Sequence, residues 1–485
     1  MQPTLDRRRL LKLGALAAGA LATRRLRAEP FEPQPLERRG RPKRVLVLGG
    51  GLAGLAAADE LIAAGHDVTV LEAQLRPGGR VLTCRDFSDG LVAEMGAGRI
   101  PDTHAVTLRY VERFGLKLDP FLPSGGAKVF HFGGKRFVRE PGAEMEVAAL
   151  PLEFSAEEHK LTLAGLDEKY LGPLLAELGD FETASWPPAT LRKLEALTIA
   201  DALRQRGASP AAIAYLTSGF EDDGALDFLR DSASHHTKAL YKIRGGNDQL
   251  PAALARQHAA RLRYGTRVLS LRQTAEAVEV VTVHAGETET LTAERAIVTL
   301  PFSVLRNIPI TPRPPADKQA AIDRLRYGDV TRVSLQVRER FWAEQGLSGF
   351  AEVDRPLEVW SPTHDQPGRR GILQAYMYER LGRQIGALGE SERRRYTADL
   401  FEDLFPGSKS RLEGGASIVW QDDPFARGAY TVFSAGELGT LPAVIARPEG
   451  RLHFAGEHAS AYPGWMQGAL QSGLRAAREV NEAST

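Results

Sequence analysis

Near its beginning the chain alternates polar and apolar stretches in an order that predicts a strand, a helix and a second strand. Residues 44–48 read RVLVL, a short continuous apolar run typical of a buried strand. An alanine-rich segment follows at residues 55–64, and Gly65 ends it as glycine often ends a helix. Residues 67–71, DVTVL, are the second apolar run. Together these segments predict a β-α-β unit.

Further along, the hydrophobic pattern changes twice. Residues 152–240 have a mostly helical pattern with scattered proline and glycine. Short β-type runs return between residues 268 and 300, and residues 332–338 and 372–378 alternate like the strands of another sheet. The last segment, residues 452–480, predicts a strand, a glycine-rich turn and a helix. The mixture predicts an α/β protein with a mixed α+β region and a helical insertion.

The bulk composition is that of an ordinary globular protein, 43% hydrophobic and 25% charged. A chain of 485 residues is too long for one hydrophobic core and favours two or three domains. Lys and Arg number 62 and Asp and Glu 61, so the net charge is +1. Because the chain has no basic surplus and no basic stripe interleaved with aromatics, we do not expect it to bind nucleic acid.

The first residues have the organisation of an export signal. Three arginines at residues 7–9 precede an apolar run at residues 13–22, and a small-residue site lies near Ala28. Paired arginines before such a run indicate the twin-arginine route, and the run is shorter than the roughly 20 residues that span a bilayer. We expect a signal peptide at 1–28, a linker at 29–43, and a periplasmic or secreted protein without a membrane span. The alternative is a basic amphipathic helix that stays attached.

The cysteine count is consistent with this route. Cys84 is the one cysteine in the sequence, so an internal disulfide cannot form, which is unusual for an exported protein. The twin-arginine route exports proteins that are already folded, which explains the absence of a disulfide.

A glycine motif lies between the first predicted strand and its helix. Gly49, Gly51 and Gly54 form G-x-G-x-x-G. The first glycine permits a tight turn, the second lets the backbone approach a pyrophosphate, and the third lets helix and strand pack closely. The helix N-terminus presents free N–H groups to phosphate. Glu72 ends the second strand, where an acid accepts hydrogen bonds from a ribose, so the setting predicts a dinucleotide site.

Two other stretches favour FAD over NAD. A glycine doublet ending at Gly79 opens backbone N–H groups, and the Arg80 that follows can neutralise phosphate. Near the C-terminus, residues 452–457 (LHFAGE) end at Glu457, which can hold a ribityl chain. The helix that begins near Met466 can direct the positive end of its dipole at a flavin ring.

With these motifs the chain resembles the flavin-containing amine oxidases, which include monoamine, polyamine and L-amino acid oxidases. The resemblance runs from about Lys43 to the end and is strongest in GGGLAGLAAADEL, LEAQLRPGGRV, AEMGAGRIP, IRGGNDQLPAALA and FAGEHASAYPGWMQGALQSGLRAA. It implies that FAD is contacted by Gly49, Gly51, Gly54, Glu72, Gly79, Arg80, Val268 and Glu457.

The resemblance and the hydrophobic pattern together predict three regions. They are a Rossmann-like FAD-binding domain (44–84, 236–310 and 441–485), a mixed α+β substrate-binding domain (85–139 and 311–440) and a helical insertion (140–235).

The family oxidises a carbon that bears an amine, and two aromatic residues match its substrate walls. Trp465 lies in GWMQGA and Tyr430 in RGAY. By resemblance, their side chains stand beside the flavin, hold the amine over the ring and disfavour water. Ala429 stands where monoamine oxidases have a cysteine bonded to the flavin, so the resemblance implies non-covalent FAD.

Arg99, in GAGRIP, points to the class of substrate. In L-amino acid oxidases the matching arginine binds the substrate α-carboxylate, and a guanidinium can donate two parallel hydrogen bonds to that group. Monoamine and polyamine oxidases need no fixed cation there. The alternative role for Arg99 is an ion pair with Glu94 or another acid of the protein.

Two positions depart from the family pattern. Arg332 stands where the family usually has a lysine linked through water to flavin N5. Because arginine does not lose its proton, the sequence leaves open whether oxygen or another acceptor takes the electrons. Ser361 occupies the stretch where amino acid oxidases tend to have a tyrosine that helps to bind the carboxylate.

A histidine pair, His235 and His236, offers a candidate base. Hydride transfer needs no strong base, and the sequence shows no metal-ligand spacing of Cys, His and Asp. We therefore expect both histidines to be solvated or to cap a helix.

The sequence thus predicts oxidative deamination of an L-α-amino acid to a 2-oxo acid, ammonia and hydrogen peroxide, with molecular oxygen as acceptor. The candidate catalytic residues are Arg99, Arg332, Tyr430 and Trp465. One alternative is an exported monoamine or polyamine oxidase, in which Arg99 pairs with an acid of the protein and the pocket mouth is acidic. Another is a flavin-binding protein with little turnover. The resemblance leaves a homodimer open, since family members are often dimers.

Overall fold

The computed structural model describes residues 36–183, 185–235 and 237–483. The predicted signal peptide at 1–28 and His236 lie outside the described residues. Among the helices that are described, none combines the length and the apolar character needed to cross a membrane.

The described chain contains both strands and helices, with a run of consecutive helices in its middle. The strands are β1 (Arg44–Leu48), β2 (Asp67–Leu71), β3 (Thr83–Cys84), β4 (Ala93–Glu94), β5 (Ile100–Pro101), β6 (Leu118–Pro120), β7 (Ala127–Phe132), β8 (Lys135–Arg139), β9 (Leu240–Ile243), β10 (Leu262–Arg263), β11 (Thr266–Gln273), β12 (Val278–His284), β13 (Glu287–Ala293), β14 (Arg295–Val298), β15 (Ile310–Thr311), β16 (Arg326–Tyr327), β17 (Val330–Val337), β18 (Leu347–Val353), β19 (Leu357–Trp360), β20 (Gly371–Tyr378), β21 (Leu412–Val419), β22 (Thr431–Val432) and β23 (Leu452–Phe454). The α-helices are α1 (Leu52–Ala63), α2 (Ala105–Arg113), α3 (Leu163–Tyr170), α4 (Gly172–Glu177), α5 (Ile199–Gln205), α6 (Pro210–Thr217), α7 (Ala225–Ser234), α8 (Gln249–Gln257), α9 (Phe302–Leu305), α10 (Ala316–Arg324), α11 (Phe341–Glu344), α12 (Glu379–Gly386), α13 (Glu390–Leu404), α14 (Leu441–Ala446) and α15 (Met466–Glu482).

A five-stranded parallel sheet carries the glycine motif, in the order β10-β2-β1-β14-β23. The strands β1 and β2 pair from Arg44↔Asp67 to Leu48↔Leu71, and α1 connects them. The side chains of Val45 and Val47 belong to one hydrophobic cluster, and those of Leu46 and Leu48 belong to another. The sheet is therefore covered on both faces. The predicted β-α-β unit is confirmed, although its helix begins earlier, at Leu52, because Gly51 is the residue before its first turn.

The close approach of α1 to β1 depends on Gly54. A Cβ atom built on Gly54 would lie 2.0 Å from the carbonyl oxygen of Gly49. Gly49 itself has a φ of +115°, and a Cβ there would lie 2.5 Å from Thr299 Oγ1. The two glycines therefore fix where the helix starts relative to the strand, and with it the direction of its N-terminal N–H groups.

A seven-stranded sheet, in the order β21-β17-β20-β19-β18-β7-β8, forms the second layer of strands. Tyr376 on β20 stands opposite Arg332 on β17 and opposite Glu358 on β19. Directly opposed residues of antiparallel strands share a face of the sheet, so these three side chains form one row. The strands predicted at 332–338 and 372–378 are confirmed by β17 and β20.

Helices α3 to α7 occupy the middle of the chain, as the hydrophobic pattern predicted. Their apolar residues share a core with the aromatic residues of β7, where the rings of Phe132 and Tyr215 lie 6.2 Å apart. The helices thus pack beside the seven-stranded sheet. The domain boundaries given by the sequence stay predictions.

We expect Gly54→Ala to destabilise the protein by roughly 3 kcal/mol, because the new methyl group would have to displace backbone rather than a flexible side chain. The midpoint of urea unfolding measures the effect. Gly125→Ala is the control, since a Cβ there meets no atom within 4 Å. Equal midpoints for the two variants would contradict the packing argument.

Candidate active site

A cavity of about 490 Å³ runs between the parallel sheet and the seven-stranded sheet. It brings together twelve of the thirteen candidate site residues, drawn from distant parts of the chain: Gly49, Gly51, Glu72, Gly79, Arg80, Arg99, Val268, Arg332, Tyr430, Glu457, Trp465 and Met466. Gly54 does not line it, because its Cα faces the backbone of Gly49.

One end of the cavity has the form of a dinucleotide site. A Cβ built on Gly51 meets no protein atom within 4 Å, so open space lies beside the start of α1. The Glu72 carboxylate accepts hydrogen bonds from the backbone N–H groups of Gly50 at 2.7 Å and Gln74 at 2.8 Å. Burial raises the pKa of Glu72. A carboxylate has about four acceptor positions, so Glu72 retains capacity for a ribose diol.

Arg80 and Glu457 form a largely buried ion pair in the cavity wall. Arg80 Nη2 lies 2.9 Å from Glu457 Oε1, and Glu457 also accepts from the Thr431 hydroxyl at 2.8 Å and from Gly464 N at 2.7 Å. Burial alone would raise the pKa of Glu457, but Arg80, His458 and these hydrogen bonds hold it below its usual value. Arg80 Nη1 is buried and has no hydrogen-bond partner among the described residues. A cavity-lining donor without a partner fits a group that neutralises phosphate.

Two backbone features shape the cavity near Met466 and Val268. Met466 is the first residue of α15, and the Trp465 before it makes no side-chain hydrogen bond to the helix terminus, so the first N–H groups have no side-chain cap. Val268 precedes an irregularity in the pairing of β11 with β12, where the register shifts before Ser270. Irregularities of this kind are over-represented next to active sites. The residues present therefore fit a flavin dinucleotide, although their individual contacts stay predictions.

Tyr430 and Trp465 are neighbours in the cavity wall. A Cβ built on Gly464 would lie 2.7 Å from Tyr430 Cδ2, so the Tyr430 ring packs on the residue before Trp465. The Tyr430 hydroxyl shares a hydrogen bond with Tyr376, and burial raises the pKa of Tyr430 well above its usual value. Trp465 Nε1 donates to Asp231 Oδ1 at 3.2 Å. Both rings are thus held in place by polar contacts at their edges.

Arg99 makes a two-point ion pair with an acid that the sequence did not suggest. Both Nη atoms donate to the Glu358 carboxylate, one of them at 3.2 Å. The Arg99 guanidinium lies 4.9 Å from the ring centre of Phe121 and 5.1 Å from that of Trp360. Burial would lower the pKa of Arg99, but Glu358 raises it, so the guanidinium stays charged. The Arg99 side chain is 13% exposed and that of Glu358 is 40% exposed.

Arg332 lies on the same face of the seven-stranded sheet as Glu358 and also lines the cavity. Its Nη1 donates to the backbone carbonyl of Glu94 at 2.9 Å, and its guanidinium lies 4.3 Å from the ring centre of Tyr376. Burial lowers the pKa of Arg332. The residue is only 8% exposed, and its Nε has no hydrogen-bond partner in the described chain.

Sequence reasoning missed four residues of this wall: Glu358, Trp360, Tyr376 and Asp231. The alternation of β19 could have found two of them, because Glu358 and Trp360 lie two residues apart on one face. Ser361 does not line the cavity. It is fully buried, and its hydroxyl lies 3.3 Å from that of Thr363.

His235 follows the last residue of α7, at the capping position that the sequence predicted, and is one-third exposed. It also lines the cavity, with its ring centre 4.6 Å from that of Trp465 and its Nδ1 2.8 Å from the Asp231 carbonyl oxygen. His235 is therefore a neighbour of the aromatic wall as well as a capping residue.

Residues 52–481 match the family model of flavin-containing amine oxidoreductases. The chain belongs to this family. The relatives of this amine oxidoreductase include the L-amino-acid oxidase of Vipera ammodytes ammodytes, 31% identical over 93% of this chain and 95% of its own. The L-amino-acid oxidase of Daboia russelii is 30% identical over 93% of this chain and 91% of its own. The predicted family and enzyme class are confirmed.

Solved structures of amine oxidases share its fold. Putrescine oxidase bound to putrescine has a TM-score of 0.77 at 23% identity, covering 91% of this chain and 99% of its own. Cyclohexylamine oxidase from Brevibacterium oxydans has a TM-score of 0.76 at 21% identity, with coverage of 91% and 99%. The predicted α/β fold class is confirmed, and at these identities the likeness concerns the fold alone.

We expect Gly51→Ala to fold normally and to bind flavin at least about tenfold more weakly, because the methyl group meets no protein atom but occupies the space next to the predicted pyrophosphate. Flavin content per protein after dialysis measures the loss, and circular dichroism measures folding. Full flavin content in a folded Gly51→Ala protein would contradict the assigned phosphate position.

Proposed function

We propose that this protein catalyses the oxidative deamination of an L-α-amino acid to a 2-oxo acid, ammonia and hydrogen peroxide, using non-covalently held FAD, molecular oxygen and water, which hydrolyses the imine. The observation that carries the proposal is Arg99, a guanidinium that two aromatic rings fix in the cavity wall. Its acid partner Glu358 is the more exposed of the two side chains. The similarity to L-amino-acid oxidases, at 30–31% identity over most of the chain, also supports the proposed function.

The proposed roles follow from the cavity wall. The substrate carboxylate exchanges with Glu358 on Arg99, which fixes the α-carbon in one orientation. Tyr430 and Trp465 enclose the amine and exclude water. FAD, when bound, would supply the two-electron acceptor for the hydride of that carbon. Ala429, at the end of the cavity that Tyr430 lines, has no thiol, which supports a non-covalent flavin.

A second candidate is a monoamine or polyamine oxidase. One observation favours it: Arg99 is already paired with an acid of the protein, as that alternative predicts. Asp231 is a second acid in the cavity wall. In this case Arg99 and Glu358 would be a fixed structural pair, and the substrate would need no carboxylate.

We also propose export through the twin-arginine route, with the protein ending in the periplasm or outside the cell. The arginines at residues 7–9 and the short apolar run after them support it. Replacing two of these arginines with lysine should keep the protein in the cytoplasm, as measured by cell fractionation.

Arg99→Met should slow anaerobic flavin reduction by L-amino acids at least about a hundredfold, because a desolvated carboxylate would lose its charge partner. The matched amines that lack the carboxylate should be unaffected. The measurement is bleaching of the oxidised flavin band with each of the twenty L-amino acids and its decarboxylated counterpart. Bleaching by amines alone in the wild-type protein would establish the second candidate instead.

Glu358→Gln separates the two candidates by the sign of its effect. If Glu358 competes with a substrate carboxylate, its removal should lower the dissociation constant for the amino acid by about three- to tenfold. If Glu358 is part of an acidic amine site, amine binding should weaken. Glu352→Gln is the matched control, since Glu352 pairs with Lys128 at 2.6 Å outside this cavity.

A further inference from the structure

Arg332 is a buried cation that no acid of the described chain neutralises by direct contact. No carboxylate among the described residues lies within ion-pairing distance, and its polar contact is the carbonyl of Glu94. Its Nε is buried and donates to nothing in that part of the chain. A desolvated charge without a counter-ion costs several kcal/mol unless something else compensates it.

The neighbouring acid Glu94 compensates little. Burial raises the pKa of the Glu94 carboxyl to about 7, so the group is only partly ionised at neutral pH. The carboxyl is occupied elsewhere: it accepts from the Thr83 hydroxyl at 2.9 Å and from Asn247 N at 2.8 Å. The charge of Arg332 therefore remains available to a group that enters the cavity.

Arg332 and Arg99 flank the same aromatic ring. Their guanidinium carbons lie 5.8 Å and 5.1 Å from the ring centre of Trp360. Glu358 accepts hydrogen bonds from Arg99, whereas Arg332 donates to the carbonyl of Glu94. This part of the wall therefore holds two guanidinium groups, those of Arg99 and Arg332, and the carboxylate of Glu358, which is paired with Arg99. Another acid of the cavity wall, Asp231, accepts a hydrogen bond from Trp465 Nε1.

We propose that Arg332 is a second carboxylate-binding residue, which supplies the positive charge that a substrate carboxylate neutralises while Arg99 fixes its orientation. This inference rests on the proposed function, because it presumes a substrate that carries a carboxylate. The ligand class is a small monocarboxylate. The side-chain type fits the role, since arginine keeps its charge when buried and presents donors in a planar fork.

The test is a binding titration of the oxidised holoenzyme with benzoate, a monocarboxylate that cannot be oxidised, followed through the flavin absorption spectrum. Benzamide is the uncharged control ligand. Arg332→Met should raise the dissociation constant for benzoate at least thirtyfold. Arg332→Lys, which keeps the charge, should raise it at most about fivefold. Neither variant should change the dissociation constant for benzamide. Arg332→Gln removes the same charge and repeats the test if the methionine variant loses flavin.

A second readout separates binding from the reaction with oxygen. In Arg332→Met, anaerobic flavin reduction by an L-amino acid should require a substrate concentration higher by about the same factor as the loss of benzoate affinity, and the rate of flavin reoxidation by oxygen is measured separately. Equal loss for an amino acid and its matched amine would indicate a general effect on the flavin and overturn the proposal. Slower reoxidation with unchanged benzoate binding would overturn it as well.

The outcomes for the wild-type protein distinguish this inference from the proposed function. A wild-type protein that neither binds benzoate nor is reduced by any L-amino acid contradicts the proposed function, and the inference falls with it. A wild-type protein that is reduced by L-amino acids, together with charge-removing variants that bind benzoate normally, overturns the inference and leaves the proposed function standing.

Discussion

The register between β19, β20 and β17 decides which charges line the cavity. Glu358, Tyr376 and Arg332 stand directly opposite one another across these strands. One residue further along, the other face of the same strands contributes a row to the hydrophobic core, made of Val359, Ala375 and Val333. A slip of one residue would bury the charged row and turn the apolar row into the cavity. The burial of the core therefore holds the chemistry in place.

The charges of the cavity fall into two kinds. Arg80 and Glu457 are both largely buried and share further hydrogen bonds, so separating them would leave a desolvated charge. The pair of Arg99 and Glu358 is different, because its acid is 40% exposed and water can take over its hydrogen bonds. A ligand can thus replace Glu358 at a modest free-energy cost, whereas replacing Glu457 would be expensive. The charges of the predicted cofactor site are thus neutralised within the protein, whereas the proposed carboxylate site holds an ion pair that a ligand can exchange.

The sequence predicted most of the local structure because local signals determine it. The β1-α1-β2 unit depends on apolar runs and glycines within thirty residues of one another, and its bounds came out nearly as observed. The partner of Arg99 could not be predicted, since Glu358 lies 259 positions away and reaches it only through the register of several strands. The burial of Ser361 depends instead on a local signal, because the strand alternation turns Trp360 to the cavity and buries the serine next to it.

The charge on Arg332 also bears on the choice between the two candidate functions. A buried lysine at this position could shed its proton and become neutral, but arginine stays charged. Simple amines are ammonium ions in neutral solution. At an effective dielectric constant of about 20, two like charges roughly 6 Å apart repel by about 3 kcal/mol, which corresponds to about a hundredfold in affinity. An α-amino acid brings a carboxylate that offsets this repulsion, whereas a simple amine brings none. The pairing of Arg99 with Glu358 taken alone favours an amine; taken together with Arg332, the wall favours a substrate that carries its own negative charge.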